Sequence, residues 1–165
     1  MTIIIGIDPG SRKTGYGLIQ IQGQRNIHLA HGCLALNGET LAERLQQIFS
    51  GLREIIQQYQ PQEAAIEQVF MNDNPNSALK LGQARGAALV AISSPVIEYS
   101  ARAIKQAIVG YGAASKEQVQ QMVKRLLNIQ TKIQSDAADA LAIALCHAHS
   151  RAWSTKLKEL SKGIP

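Results

Sequence analysis

The sequence predicts an α/β fold built on a mixed sheet, and three observations carry that expectation. Three candidate strands follow one another at the N-terminus with only short turns between them. A long amphipathic helix comes next. After it, strands and helices alternate, the layout of a sheet with parallel neighbours.

The first strand is "TIIIGID", residues 2–8. It is apolar without a helical period, as a strand buried on both faces should be. It runs into Asp8 and stops on Pro9-Gly10. Residues 14–22, "TGYGLIQIQ", set Leu18, Gln20 and Gln22 against Ile19 and Ile21, the alternation of a second strand. Residues 26–36, "NIHLAHGCLAL", supply the third, and short turns make the three an antiparallel meander.

Thr40 caps the first helix, and Glu43 three residues later completes a capping-box signature. Leu41, Leu45, Ile48, Leu52, Ile55 and Tyr59 form one apolar stripe, and Gln60-Pro61 ends it. The next strand, "EAAIEQVF", again meets a carboxylate, Glu67. "NPNSALKLGQARGAALVAISS" is an Ala-rich second helix with Gly82 and Gly86 four apart. That spacing lets another backbone approach; packing on the sheet and a subunit contact account for it equally well.

Residues 95–99 form a fifth, short strand. Ser100 caps a helix over 101–109 that Gly110-Tyr111-Gly112 breaks. Ser115 caps another, with Val119, Met122, Val123, Leu126 and Leu127 as its apolar positions. Residues 128–134 read as a polar link. Ser135 caps the last helix, "DAADALAIALCHAHSRAW". His147 and His149 sit near the expected end of that helix, where contact with its C-terminus explains them better than metal binding.

At 165 residues the chain reads as a single domain over 1–153, with 154–165 as a loosely held basic tail. No apolar stretch approaches the ~20 residues of a membrane span, and the first residues lack a signal-peptide pattern. A cytoplasmic protein is expected. Cys33 and Cys146 are far apart and are expected as free thiols. Charge is uneven. Residues 1–100 hold seven Lys/Arg and eight Asp/Glu; residues 101–165 hold ten and four. A basic half on a near-neutral body suits a polyanionic partner, and equally a well-solvated surface.

Four carboxylates stand out. Asp8 closes the first strand and Glu67 the fourth. If those strands are parallel neighbours, both acids emerge at one sheet edge. Asp136 and Asp139, three apart, share a helix face. Four acids brought together repel one another unless compensated, and hard divalent cations provide that. Two such ions about 3.5–4 Å apart can activate a water against a phosphodiester with no side-chain nucleophile. Singly, each acid has an ordinary explanation: Asp8-Pro9-Gly10 is turn chemistry, Asp136 suits a helix start, and Glu67 suits an exposed strand end. Asp139, among Ala138, Ala140 and Leu141, is hardest to explain that way.

"GIDPGSRKTGYG", "AIEQVF", "SARAIKQAIVGYGAASKEQVQQMV" and "DAADALAIALCHAH" together resemble the RuvC-type Holliday junction resolvases of bacteria. The matches are in order and extend to about residue 150. The resemblance implies a ribonuclease-H-like mixed five-stranded sheet flanked by helices. It also implies a homodimer and Mg²⁺-dependent paired nicking of four-way DNA junctions, with Mn²⁺ able to substitute and a branch-migration complex (RuvA and RuvB) as partner. It makes Asp8, Glu67, Asp136 and Asp139 the metal-binding, catalytic carboxylates. Phe70 becomes an aromatic that stacks on an unpaired base, and Lys105 and Lys116 become DNA-binding residues near the scissile backbone. On physical grounds alone Phe70 reads rather as a hydrophobic plug and the lysines as ordinary surface residues. Some relatives carry histidine where Asp136 stands; here the set is all acidic. The rivals are a ribosomal-RNA-processing nuclease of similar fold, an actin-like or sugar-kinase ATPase fragment suggested by the glycine-rich start, and a non-catalytic junction-binding protein.

Overall fold

The apolar run at the N-terminus forms the centre of the sheet. In the computed structural model, which describes residues 1–68 and 74–162, strand β1 is Thr2–Asp8. Ile4, Ile5 and Ile7 have no exposed surface, because both sheet faces are covered at this strand. β2 (Lys13–Gln22) and β3 (Arg25–Ala35) complete the antiparallel meander. The turn after Asp8 is fastened by Thr14, fully buried, whose hydroxyl donates to the Gly10 carbonyl at 3.2 Å and accepts the Gly10 N–H at 3.4 Å.

α1 (Leu41–Tyr59) starts at the capping box the sequence announces: Glu43 N–H donates to Thr40 Oγ1, and Thr40 N–H to Glu43 Oε2. Gln60 closes it in the left-handed conformation. β4 (Glu63–Glu67) lies parallel to β1, and α2 (Pro75–Ala91) leads to β5 (Val96–Tyr99), parallel to β4. The sheet order is β3-β2-β1-β4-β5. α3 (Ala101–Val109) and α4 (Lys116–Leu126) follow, capped by Ser100 and Ser115.

α5 is Ser135–Lys162, so its backbone continues through most of the segment set apart as a basic tail. Ser135 is its first helical residue and not a cap ahead of it; its hydroxyl accepts a hydrogen bond from Gln120 Nε2 at 3.1 Å. Two apolar layers sandwich the sheet. Ile5, Ile7, Leu18 and Ile66 pack against α1 and α2 on one face. Ile4, Ile19 and Ala65 pack against α3, α4 and α5 on the other. Ile129, in the link expected to be polar, joins this second layer, while Leu126 is left 42% exposed. α4 ends at Leu126, and beyond it Leu127, the C-cap, and Ile129 turn inward into this layer.

α5 crosses the sheet at very short range. A methyl group at Gly6 would overlap the Ala140 carbonyl oxygen, and one at Gly15 would overlap that of Asp136. Only a residue without Cβ lets the helix backbone lie this close to the strands.

Candidate active site

Asp8 and Glu67 are placed by strand register. β1 and β4 pair with Ile7 opposite Ile66, so each acid is the next residue at the carboxyl end of its strand. Both occupy the sheet face covered by α5, since Ile4 and Ala65, an even number of residues before them, pack into that layer. Gly15 lies opposite Asp8 on β2 and touches the backbone of Asp136. The start of α5 is thereby brought over the strand ends with Asp136 in its first turn and Asp139 one turn on. The four acids come from β1, β4 and α5, and their charges act on one another.

Electrostatics shows the cost of that gathering. Burial, followed by the charges of Asp139, Glu67 and Asp136, pushes the Asp8 pKa up to about 7, against a smaller opposing pull from Lys116. Burial and Asp139 raise Glu67, although Lys105 and Lys116 pull it down. Burial raises Asp139 as well, and outweighs its bond to Lys116. Lys116 is itself raised: burial works against its charge, but the hydrogen bond and charge of Asp139, with Asp8 and Asp136, exceed that effect. Asp139 gains from the pair yet remains short of compensation, whereas Lys116 sits in an excess of negative charge.

A cavity of about 210 Å³ opens beside the acids, lined by Glu67, Lys105, Lys116 and Asp139 with Ile104 and Val119. Lys116 Nζ lies 2.6 Å from Asp139 Oδ2. The donor set suits a hard divalent cation: four half-buried carboxylates, all oxygen, mutually repelling. As they stand, no three acidic, histidine or cysteine side chains among the described residues close on one ion. The direct cation contact of Asp139 is with Lys116 instead. The structure therefore brings together six of the seven residues singled out in the sequence. Phe70 lies outside the described residues.

The histidines of α5 differ from expectation. The helix does not end near them, so its C-terminus is not their partner. His147, buried, places Nδ1 2.8 Å from the Tyr99 hydroxyl and Nε2 2.7 Å from Glu63 Oε2, and Arg151 Nε donates to Glu63 Oε1 at 2.9 Å. His149 Nδ1 donates to the Ala107 carbonyl at 3.1 Å. These bonds tie α5 to β4, β5 and α3. Tyr99 also reaches the site through its backbone, its carbonyl accepting the N–H of Gln68, the residue after Glu67, at 2.8 Å.

Comparison with known proteins agrees with this architecture. The family model described as "Crossover junction endodeoxyribonuclease RuvC" matches residues 4–147. A protein of that name from Psychromonas ingrahamii is 57% identical over 170 residues, covering 99% of this chain and 98% of the relative. A solved Thermus thermophilus RuvC structure superposes with TM-score 0.85 at 33% identity, covering 93% of this chain and 98% of the other. T. thermophilus RuvC in complex with Holliday junction substrate gives 0.87 at 34% identity, covering 94% and 98%. The motifs that meet at the strand ends fall within the matched span, and the chain belongs to the crossover junction endodeoxyribonuclease RuvC family.

Proposed function

We propose that this chain resolves four-way DNA junctions by paired, Mg²⁺-dependent nicks, with Asp8, Glu67, Asp136 and Asp139 as the metal-holding carboxylates. The observation that carries the site assignment is the register of β1 and β4, which delivers Asp8 and Glu67 side by side beneath the start of α5. A divalent pair, Mg²⁺ or Mn²⁺, would supply an activated water and charge stabilisation at the leaving oxygen. The acids hold that charge, and their repulsion is what it relieves. Lys105 and Lys116, on the cavity wall, attract and orient a sugar-phosphate backbone without reading its sequence. Phe70, which follows β4, has the stacking role in this reading, contributing about 1–3 kcal/mol through one base.

A four-way junction has near-two-fold symmetry, so paired nicks call for two copies of the site. The exposed face of α2 supports a homodimer. Leu79 and Val90 are 63% and 72% exposed, and open space surrounds Gly82 and Gly86. In this reading the substrate is intracellular DNA, and the protein acts in the cytoplasm in company with the branch-migration proteins RuvA and RuvB. Among the described residues no helix is long and apolar enough to cross a membrane.

The test incubates the protein in parallel with a synthetic mobile junction, a linear duplex and a structured RNA, each with and without Mg²⁺. Symmetric nicks confined to the junction and to Mg²⁺ are expected. Equal cutting of linear duplex, or preferential cutting of structured RNA, would overturn the reading.

A further inference from the structure

We propose that Lys116 is a built-in counter-cation: it holds the acid cluster together without metal, and a divalent ion must displace it from Asp139 to bind fully. This rests on the metal-site reading above and concerns how that site exchanges cations. Among the described residues, Lys116 makes the one ion pair with any of the four acids, at 2.6 Å to Asp139 Oδ2. An oxygen so engaged is not free to coordinate an ion.

The placement of this lysine supports the idea independently. Lys116 is the first residue of α4, where the helix dipole disfavours a cation. Helix stability therefore does not explain it. The helix start is nonetheless firmly built. Gln118 N–H donates to Ser115 Oγ at 3.2 Å, while Gln118 Oε1 accepts both Ser115 N–H at 2.8 Å and the Tyr111 hydroxyl at 2.9 Å. The base of the lysine is fixed, and its four-carbon arm spans to α5. The two ends of the pair also differ in access. The Lys116 side chain is 54% exposed and that of Asp139 23%. The ammonium can swing into water while the carboxylate stays in the site. Asp8 and Asp136 add negative charge around the same ammonium, so it serves the cluster and not Asp139 alone.

Lys105 provides the comparison. It lines the same cavity and its charge acts on Glu67, but it makes no direct bond to an acid among the described residues. Removing it withdraws a positive charge without freeing a ligand oxygen.

The experiment titrates Mn²⁺ into the full-length protein, followed by electron paramagnetic resonance, for the wild type, Lys116→Met, Lys116→Arg and Lys105→Met. Metal-free melting temperatures are recorded alongside. Lys116→Met should bind Mn²⁺ roughly two- to fivefold more tightly than wild type, the upper part of the range an ion pair of this exposure represents. It should melt lower without metal and gain more from Mn²⁺. Lys116→Arg, which keeps the charge and tests that the position tolerates change, should stay close to wild type. Lys105→Met should gain less than about twofold. Affinity in Lys116→Met that equals or falls below that of wild type or Lys105→Met overturns the exchange while leaving the metal site standing. A folded wild-type protein that takes up no Mn²⁺ overturns both.

Discussion

Asp8 and Glu67 end adjacent parallel strands one residue beyond the Ile7–Ile66 pair, so two buried backbones fix where two carboxylates emerge. Asp8→Asn keeps that shape and removes one charge. Junction binding in EDTA should be retained, because phosphate contacts dominate it. Nicking with Mg²⁺ should fall by at least roughly a hundredfold, the scale on which loss of one transition-state charge contact is felt. Gel-shift and cleavage assays on the same junction check both, and near-normal nicking would remove Asp8 from the catalytic set.

The metal-free protein should lose stability as pH rises. The folded-state pKa of Asp8 is about 7, above its ordinary value of 3.8, so the folded protein holds this proton more tightly than the unfolded chain. The contribution is then fully present below about 4 and is lost as pH climbs through about 7. Glu67 and Asp139 shift in the same direction and add the same sign. On the order of 1–3 kcal/mol should disappear across this window, a discounted share of the full shift for a half-buried group. Chemical denaturation in EDTA at several pH values checks it. Asp8→Asn should flatten the curve and be the more stable protein at pH 8.

Gly15→Ala should damage the site more than the fold. The added methyl overlaps the Asp136 carbonyl oxygen, so α5 must lift from β2 at the turn that bears the acid. A loss of about 1–3 kcal/mol is expected from such overpacking. Cleavage should drop further than the unfolded fraction accounts for. Activity proportional to the folded fraction would show that the helix start need not lie so close.

Leu79→Glu combined with Val90→Glu should yield a folded monomer. Both side chains are exposed on α2 and neither belongs to a hydrophobic layer, so the cost to the fold should be within about 0.5 kcal/mol per site. Sedimentation at micromolar concentration reads the outcome. A persistent dimer with an unchanged circular dichroism spectrum would move the interface away from this face.

What the sequence made legible follows from how far each signal reaches along the chain. The N-terminal isoleucines, the Thr40–Glu43 box and the Ser100 and Ser115 caps are written within a few residues, and each forms where expected. Asp8 and Glu67 were visible because a charged residue ends an otherwise apolar strand. The His147 contacts were not, since Tyr99 and Glu63 lie 48 and 84 residues away, and no local period encodes such partners. The Lys116–Asp139 pair was hidden for the same reason: Asp139 stands out among its apolar neighbours, but nothing near either residue names the other, and only the path of α4 beside α5 joins them.

The contacts of Gly6 and Gly15 with the carbonyls of Ala140 and Asp136 make the polypeptide its own ruler. The reach from the first strand to the first turn of the last helix is gauged by peptide groups resting on peptide groups, with no side chain between to be trimmed or enlarged. Repacking either oily layer should therefore alter how firmly the molecule holds together well before it alters how far apart the acids stand.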